Sequence, residues 1–342
     1  MRKYLAHVRG NYQNLGYEEF FATLEAENIN YNVEKKGDQI LVFETNQNPL
    51  VAAERCAFLH SILSLISIGS VDEDELKLHE LISMPEIQDN KTFAVRVKKV
   101  GRKQIKKDLP QLERELGNFI YENYKSQKLK ANLKNPDYLF LGILIGKRMY
   151  FGLEIWAINW AELESREPGN RPFFRPGAMK TEFARAIVNL CRIKRDEMFY
   201  DPFCGGGGFL IEATTIGANV IGSDVDKFAI HGCNQNMKFY KNNFSSIIRS
   251  DSRFLPIKEV DAIATDPPYS IQSSTHGENV NNLIYDFLIE SRTILKKDGY
   301  LVFSSPAKHR SELLAERAGF SVQKVLDTRI HKSLTRRIIV LK

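Results

Sequence analysis

The sequence predicts an α/β protein that combines a doubly wound, mostly parallel sheet in its C-terminal half with an α+β region before it. Three observations lead to this prediction. Strand-like apolar runs alternate with helical periods from about residue 198 onward, glycines fill the first turn between a strand and a helix, and acidic residues follow the next strands. At 342 residues the chain also exceeds the usual size of one domain, so we expect two or three.

The composition is that of an ordinary globular protein, with 43% hydrophobic residues, 26% charged residues and a formal net charge of +6. With so small a net charge, a polyanionic partner needs a local basic patch. The first ten residues lack the apolar core of a signal peptide, and the apolar runs at 62–68 and 139–145 are too short to span a bilayer. We therefore expect a cytoplasmic protein with no membrane contact, and we expect a monomer.

The four cysteines, Cys56, Cys191, Cys204 and Cys233, show no Cys-x-x-Cys spacing. We therefore expect neither a metal site nor a disulfide framework, which fits a reducing compartment. Cys204 lies in a glycine-rich loop. We interpret it as a small loop residue rather than a nucleophile, because no histidine base is evident beside it.

The first 69 residues are predicted to form a small α+β module of the ferredoxin-like type. A strand at 4–8 precedes a helix at 17–27, whose acidic residues are expected on its outer face. A second strand at 40–43 and a second helix at 49–65 follow. The histidines of this region are scattered and lack the partners of a metal or catalytic site, so we assign no chemistry to it.

The segment from residue 70 differs, because basic residues gather at its strand ends and turns. A strand at 93–97, a helix at 109–124, a strand at 138–145 and a return at 149–155 are expected. Such a patch suits a phosphate backbone, although a run of charges can also be a solvated face. The basic residues are Lys98, Lys99, Arg102, Lys103, Lys106, Lys107, Lys128, Lys130 and Lys134.

The order of these elements resembles the THUMP domain, a module of tRNA-modifying enzymes. The resemblance covers most of residues 91–155 and rests on the strand at 93–98, the helix around 113–117 and the turn at 132–137. It implies that the basic residues bind tRNA. It does not indicate the chemistry, since THUMP domains occur with several catalytic partners.

Residues 156–175 are predicted to be a linker, part of it helical. Two arginines, two prolines and two aromatic residues without a period follow at 171–176, which indicates an ordered loop. Thr181 is the predicted N-cap of a helix that runs to Cys191, with Glu182 in its first turn.

A glycine-rich turn marks the start of the C-terminal half. A strand at 198–200 is followed by Asp-Pro-Phe-Cys-Gly-Gly-Gly-Gly at 201–208 and by a helix at 209–216. The next strand ends at Asp224, about twenty residues after the first glycine, the spacing at which a carboxylate binds ribose hydroxyls in dinucleotide folds. This pattern alone suits a nicotinamide cofactor or S-adenosylmethionine equally.

The remaining elements continue the sheet. A third strand at 247–251 ends in Asp251, which is placed to receive an adenine amino group, and a fourth at 260–265 precedes Asp266. The prediction is completed by a helix at 281–295, a strand at 299–303, a helix at 310–318 and a terminal antiparallel pair of strands. The two strands of this pair are expected at 320–328 and 336–341.

The fourth strand ends in the turn Asp266-Pro267-Pro268-Tyr269. Two prolines stop the strand and hold a carboxylate, backbone carbonyls and an aromatic ring together, at the sheet edge where such folds bind ligands. These groups suit the exocyclic amine of a flat base, since the acceptors bind its N–H groups and the ring stacks on its face. The tetrapeptide alone is equally compatible with a surface turn.

Taken together, the half from residue 176 resembles class I S-adenosylmethionine-dependent methyltransferases, with the amino-group methylase motif at 266–269. Nearly the whole chain resembles the archaeal tRNA guanosine N2-methyltransferases that act on position 10, on the stretches 171–179, 184–190, 201–213 and 266–269 with its tail at 273–275. Departures from the family are Gly206, usually threonine, and Ser270, usually glycine. The predicted parts are an N-terminal module at 1–69, a THUMP domain at 70–155, a linker at 156–175 and a methyltransferase domain at 176–342.

The resemblance implies methylation of the guanosine N2 amine in tRNA with S-adenosylmethionine as cofactor. Two alternatives stay open: an adenine N6-methylase or a methylase of another tRNA guanosine, and a tRNA-binding protein with an inactive methylase half. A THUMP-linked thiolation enzyme would need a Ser-Gly-Gly-x-Asp-Ser loop, which the sequence lacks. The implied catalytic residues are Asp266, Pro267, Pro268 and Tyr269, and the implied cofactor-binding residues are Asp201, Phe203, Gly205, Gly207, Asp224, Asp251 and Asp266.

Overall fold

A computed structural model describes residues 1–72, 75–104, 108–241, 245–255, 257–268, 280–331 and 334–342. Tyr269, Ser270, Lys106 and Lys107 lie outside the described residues, and the side chains of Arg102 and Lys103 are likewise not described. The chain divides into two compact units. One contains residues 1–13, 29–53 and 59–158, and the other contains residues 14–28, 54–58 and 159–342.

The first unit is built on a nine-stranded sheet in the order β2-β3-β1-β4-β9-β8-β6-β7, with β5 beside β4. Along the chain, β1-α1-β2-β3-α2-β4 is the ferredoxin-like order of elements, although the prediction included neither β2 nor β4. Nearly all of α1 belongs to the second unit. The elements of this half are β1 Arg2–Val8, α1 Gln13–Ala26, β2 Asn32–Gly37, β3 Ile40–Thr45, α2 Leu50–Ala53, β4 Leu59–Val71, β5 Leu76–Leu81, β6 Thr92–Gln104, α3 Leu109–Asn123, β7 Lys130–Ala131, β8 Tyr138–Gly146 and β9 Arg148–Ala157.

The helix expected at 49–65 is wrong. Only α2 is helical, and the residues from Leu59 onward form β4, which pairs with β1 on one side and with β9 on the other. Apart from a few intermediate positions, β4 is buried along its length. A strand covered on both faces is a continuous apolar run, and periodicity alone does not separate it from a buried helix.

Helix α3 packs one face on this sheet. Leu112, Leu116 and Ile120, spaced four residues apart, are fully buried in a cluster with Val95 and Phe140 of the strands. The predicted helix at 109–124 is therefore confirmed, and it forms one wall of a surface groove described below.

The second unit contains a seven-stranded sheet in the order β12-β11-β10-β13-β14-β16-β15. The pairs among β10 to β14 are parallel, and β14-β16 and β16-β15 are antiparallel, which confirms the doubly wound sheet with a terminal hairpin. Its elements are α4 Trp160–Ser165, α5 Thr181–Leu190, β10 Met198–Asp201, α6 Gly208–Ile216, β11 Asn219–Asp224, α7 Lys227–Phe239, β12 Ser245–Arg249, β13 Val260–Thr265, α8 Val280–Ile294, β14 Leu295–Pro306, α9 Ser311–Arg317, β15 Val322–His331 and β16 Leu334–Leu341.

The strand order reverses between β10 and β13, because the chain runs outward through β11 and β12 and then returns. Open α/β sheets bind ligands at such a switch point, beyond the carboxyl ends of the strands. The loops that follow β10 and β13 meet at this edge, and they carry the two motifs singled out in the sequence.

Two local predictions need correction. Lys180, and not Thr181, is the N-cap of α5, and Thr181 is the first residue of the helix. The buried Thr181 hydroxyl lies 3.4 Å from Arg171 Nη2 and does not cap the helix. The third strand ends at Arg249, two residues before Asp251.

Glu19 of α1 does not lie on an outer, solvated face. It is fully buried in the second unit, and its carboxylate accepts hydrogen bonds from Ala57 N and Phe58 N, and from Asn189 Nδ2 of α5, each at 2.9 Å. Burial raises the pKa of Glu19 to about 7. The carboxylate thus joins α1 and residues 54–58 to α5 of the same unit.

Among the described residues, no helix is long and apolar enough to cross a membrane.

Candidate active site

The glycine loop between β10 and α6 has the conformation that its sequence requires. Gly205 and Gly207 have φ angles of 49° and 81°, in the left-handed region that favours glycine. A Cβ at Gly207 would also lie 2.8 Å from Cys233 Sγ, whereas at Gly205 nothing lies within 4 Å of that position. The loop backbone is therefore open in front of Gly205, where a ligand can approach it closely.

Asn236 of α7 holds a second loop over the glycine loop. Its side chain is fully buried, and its Nδ2 donates to Gly206 O at 2.8 Å and to Phe173 O at 3.0 Å. Its Oδ1 accepts from Phe173 N at 2.9 Å. The Phe173 ring lies against Gly232, where a Cβ would come within 2.1 Å of it. The sequence predicted an ordered loop here but neither α7 nor Asn236, and a glycine inside the helix is the one signal that could have indicated the contact.

Asp224 is the last residue of β11 and faces the glycine loop. Its Oδ2 accepts from Gly205 N at 3.0 Å, and its Oδ1 accepts from Asp226 N at 2.9 Å. Burial raises the pKa of Asp224, and these two backbone hydrogen bonds oppose the shift. The carboxylate is therefore held beside the loop at the end of the neighbouring strand.

Asp201 lies beneath the loop and is fully buried. Its Oδ1 accepts from Thr265 Oγ1 at 2.7 Å and from Phe203 N at 3.1 Å, while its Oδ2 has no partner among the described residues. Burial raises the pKa of Asp201 to about 8. Through Thr265, this carboxyl connects the loop after β10 to the residue that precedes Asp266.

Asp251, unlike Asp201 and Asp224, forms an ion pair with an arginine side chain. Arg253 binds both of its oxygens, with Nε 3.0 Å from Oδ1 and Nη2 2.7 Å from Oδ2. The hydrogen bond from Arg253 lowers the pKa of Asp251. An adenine amino group would therefore share an acceptor that already binds an arginine.

Asp266 is held from two neighbouring strands. Ser304 Oγ of β14 donates to its Oδ1, and Arg336 Nη2 of β16 lies 3.4 Å from its Oδ2. Burial raises the pKa of Asp266 above its ordinary value, while Arg336 and the hydrogen bond from Ser304 act in the opposite direction. Pro267 is buried and Pro268 is half-buried. The sequence indicated neither Ser304 nor Arg336.

A cavity of about 220 Å³ joins the two motifs. Phe203 and Gly205 of the glycine loop line it together with Asp266, and the loop at 171–179 forms another wall. Arg171 of that wall is mostly buried, and its Nη1 lies 3.2 Å from the position of a Cβ on Gly208, the first residue of α6. This places a cation beside the glycine loop that the sequence prediction missed.

A buried ion triad supports that wall. Glu212 of α6 is fully buried and accepts from Arg166 Nε at 2.8 Å and from Arg185 Nε at 2.7 Å. Arg171 Nε in turn donates to Arg166 O at 2.9 Å. Residues before 176, outside the predicted methyltransferase domain, are thus part of the cavity's framework.

The basic residues of the first unit separate into two groups. Lys128 and Lys130 line a groove of about 830 Å³ between α3 and β7, and Arg96, Arg114 and Lys125, which the prediction missed, line it with them. The exposed side chains of Tyr121 and Leu133 also line this groove.

Lys98 and Lys99 belong to the second group and do not line the groove. Lys98 is exposed and lies near His60 and Glu154. Burial lowers the pKa of His60, and the charge of Lys98 lowers it further. Burial raises the pKa of Glu154, and the charge of Lys98 opposes this shift. Lys134 is exposed on the turn that follows β7.

Comparison with known proteins assigns the two halves. A family model of the RMKL-like methyltransferase domain matches residues 168–338, and a model of the THUMP domain matches residues 73–154. The tRNA (guanine(10)-N2)-dimethyltransferase of Methanothermobacter thermautotrophicus is 33% identical over 326 residues, which cover 95% of this chain and 94% of the relative. This chain belongs to the THUMP-domain tRNA (guanine-10) N2-methyltransferase family.

A second member of this family, from Methanocaldococcus jannaschii, is 30% identical over 361 residues, with 98% of each chain covered. The crystal structure of TrmN from Thermus thermophilus has the same fold, with a TM-score of 0.56 at 18% identity over 99% of both chains. The predicted family and the predicted methyltransferase fold are thereby confirmed.

Gly206 stands where the resemblance leads us to expect threonine, and the structure has room for a side chain there. A Cβ at Gly206 would lie 3.6 Å from Asn236 Nδ2 and 3.6 Å from Phe173 Cδ1, an ordinary contact distance. Its φ also lies outside the left-handed region. Neither crowding nor backbone conformation therefore requires glycine at this position.

Proposed function

We propose that this protein methylates the exocyclic N2 amine of a guanosine in tRNA, at position 10, with S-adenosylmethionine as the methyl donor. The observation that carries the proposal is the single cavity lined by both the glycine loop and Asp266. The names of the two archaeal relatives support the choice of guanine, of N2 and of position 10.

The residues around the glycine loop fit the donor. When bound, S-adenosylmethionine supplies a methyl group that its sulfonium already activates. Asp224 would bind the ribose hydroxyls and Asp251 the adenine amine. The open backbone at Gly205, with Phe203 and Gly207, would hold the methionine portion.

Arg171 extends this assignment. Its guanidinium lies beside the first turn of α6 and lines the cavity, so it is suited to the methionine carboxylate. A helix N-terminus favours an anion in the same place. Asp201, which is buried under the loop, would support the loop from within.

Asp266 and Pro267 would orient the base. The N2 lone pair of guanine is delocalised into the ring, so the amine needs to be positioned and its proton needs an acceptor. The Asp266 carboxylate and the Pro267 carbonyl would accept its two N–H bonds, and the proton that N2 loses would leave towards Asp266. Tyr269 would stack on the base, and Pro268 would help to fix the shape of the turn.

The THUMP half would bind the tRNA. Lys98, Lys99 and Lys134 would contact phosphates, and Arg102, Lys103, Lys106 and Lys107 stay predicted contacts. The groove between α3 and β7 is the better supported part, because Lys128 and Lys130 lie there with three further cations and an exposed aromatic ring.

Incubation of unmodified tRNA with methyl-labelled S-adenosylmethionine, followed by mass spectrometry of the nucleosides, tests the proposal. We expect label in N2-methylguanosine, in N2,N2-dimethylguanosine or in both, and their ratio reports the number of methyl groups added. Label in N6-methyladenosine would overturn the choice of base. Binding of tRNA without any label would support an inactive methylase half.

A further inference from the structure

Arg336 is a buried arginine whose hydrogen-bonding capacity is poorly used. Its side chain is 9% exposed, and its Nη2 contacts Asp266 Oδ2 at 3.4 Å, at the long end of hydrogen bonding. Its Nε is buried and has no acceptor among the described residues. A buried donor in this state is unusual for a group that serves only packing.

The next residue on the same strand shows the contrast. Arg337 donates to Asp327 through Nε at 2.8 Å and Nη2 at 2.9 Å, and to Glu312 through Nη1 at 2.8 Å. Its guanidinium is therefore used in a structural ion-pair network. Arg337 thus supplies a matched control for Arg336, since both lie on β16 and point to different partners.

The position of Arg336 follows from strand register. Thr265 pairs with Phe303, so Asp266 follows β13 beside Ser304 of β14. Arg336 pairs with Pro306 from the next strand, β16. The sheet thus brings a neutral donor and a cation to one carboxylate from two successive strands, from positions that are 38 and 70 residues away in the chain.

Asp266 has a carboxyl on one side and an arginine on the other. On the side of β10 lies Asp201, whose pKa is raised by burial and further by the charge of Asp266. On the side of β16 lies Arg336, which favours the ionised form, and Ser304 donates to the same carboxylate. Arg171 and Arg175 line the cavity that Asp266 faces.

We propose that Arg336 is a positioning residue for methyl transfer, which holds Asp266 as an ionised carboxylate turned to accept the N–H groups of the target amine. This inference rests on the catalytic assignment of Asp266 made under the proposed function. A protonated Asp266 would present an O–H donor to an amine that is itself a donor, so the charge of this group decides whether the base can bind productively.

The test is the pH dependence of single-turnover methylation by Arg336→Met, with Arg336→Lys and Arg337→Met alongside. Loss of Arg336 raises the pKa of Asp266, so the acidic limb of the rate profile moves to higher pH. We expect a displacement of about one pH unit or more, which lowers the rate about tenfold per unit below the limb, and recovery at alkaline pH. Arg336→Lys retains the charge and should keep the limb near its original position.

Arg337→Met should lower thermal stability and leave the limb unchanged. An unchanged limb in Arg336→Met, with a loss that is uniform across pH, would overturn the inference. Should Arg336→Met not fold, Arg336→Gln carries the same comparison against Arg336→Lys. Asp266→Asn separates the two levels: if it retains turnover, the catalytic assignment itself falls, whereas an inactive Asp266→Asn with an unshifted Arg336→Met rejects only the part assigned to Arg336.

Discussion

The cavity of the methyltransferase unit and the groove of the THUMP unit use polar residues in opposite ways. The cavity holds about 220 Å³ and is lined by the largely buried carboxylate of Asp266. The buried or half-buried carboxylates of Asp201 and Asp224 hold the adjoining loop through hydrogen bonds. The groove holds about 830 Å³ and is lined by exposed cations, an exposed tyrosine and an exposed leucine.

We interpret this difference as a division between the proposed chemistry in the cavity and the proposed tRNA binding in the groove. Buried carboxylates act through fixed geometry and a low local dielectric, so salt affects them little. Exposed cations act by releasing counterions from a phosphate backbone, and their effect falls steeply as salt rises. Substitutions in the two regions should therefore differ in what they change as well as in how much.

The largest expected effect is that of Asp266→Ala on methyl transfer. Loss of the acceptor for the amine should lower the single-turnover rate by about 10²–10³-fold or more, by analogy with the removal of one preorganised group from an active site. Affinity for S-adenosylmethionine, measured by equilibrium titration, should stay within a few-fold. Substantial turnover by the purified variant would show that Asp266 does not bind the base.

Replacement of the groove cations tests the other side of the comparison. Combined Arg114→Gln, Lys125→Gln, Lys128→Gln and Lys130→Gln should weaken tRNA binding and flatten its salt dependence by about one unit of slope per lost phosphate contact. Filter binding of tRNA at several salt concentrations measures both the affinity and the slope. Affinity for the cofactor should not change.

The matched control for the groove is Lys98→Gln with Lys99→Gln, which removes charges of the same first unit outside the groove. We expect a smaller loss of affinity and a smaller change of slope. An equal or larger effect would mean that tRNA binding is centred on the middle of β6, around Lys98 and Lys99, instead of the groove.

Asp224→Ala should weaken binding of the cofactor and leave tRNA binding unchanged. Loss of hydrogen bonds to a charged group costs about 1.5–3 kcal/mol each, or roughly 10–150-fold in affinity for one bond. Asp224→Asn is the conservative control, since it keeps the shape and removes the charge. Unchanged cofactor affinity in Asp224→Ala would move the ribose contact to another residue.

The last expected effect is on stability instead of on activity or binding, and it comes from Asp201. Because burial raises its folded pKa to about 8, the folded state binds the proton more tightly than the unfolded state. The stability that this gives is complete below the unfolded pKa of about 3.9 and is lost as pH rises towards about 8, by at most about 1.4 kcal/mol per pH unit.

Asp201→Asn should remove this dependence, because the amide retains an acceptor for Thr265 and does not titrate. Denaturant unfolding at pH 5, 6.5 and 8 should therefore show the wild-type protein losing free energy of unfolding relative to Asp201→Asn. Parallel curves for the two proteins would contradict the assigned burial effect.

The two regions also differ in how far the sequence could predict them. The loop at 201–208, Asp224 and the turn after β13 were predictable, because glycines, prolines and strand-end acids depend on local backbone geometry. Groove residues such as Arg114 and Lys125 were missed, because helical charges show their common face only once α3 is packed on the sheet.

What joins the motifs was not predictable. Asn236, Ser304 and Arg336 act through strand register and helix packing over distances of 30 to 70 residues, and nothing in their local sequence distinguishes them. The predictions for Glu19 and β4 were wrong for a related reason. The burial of a carboxylate, and of a strand covered on both faces, depends on partners that are distant in the sequence. Local chemistry can be predicted from one sequence, and the shell that orients it requires the fold.

The most direct test of the central claim uses two tRNA transcripts that differ only in guanosine or adenosine at position 10. Each is incubated with labelled S-adenosylmethionine and either the wild-type protein or Asp266→Ala. We expect N2-methylated guanosine only from the guanosine transcript with the wild-type protein. Equal labelling of both transcripts, or N6-methyladenosine from the second, would contradict it.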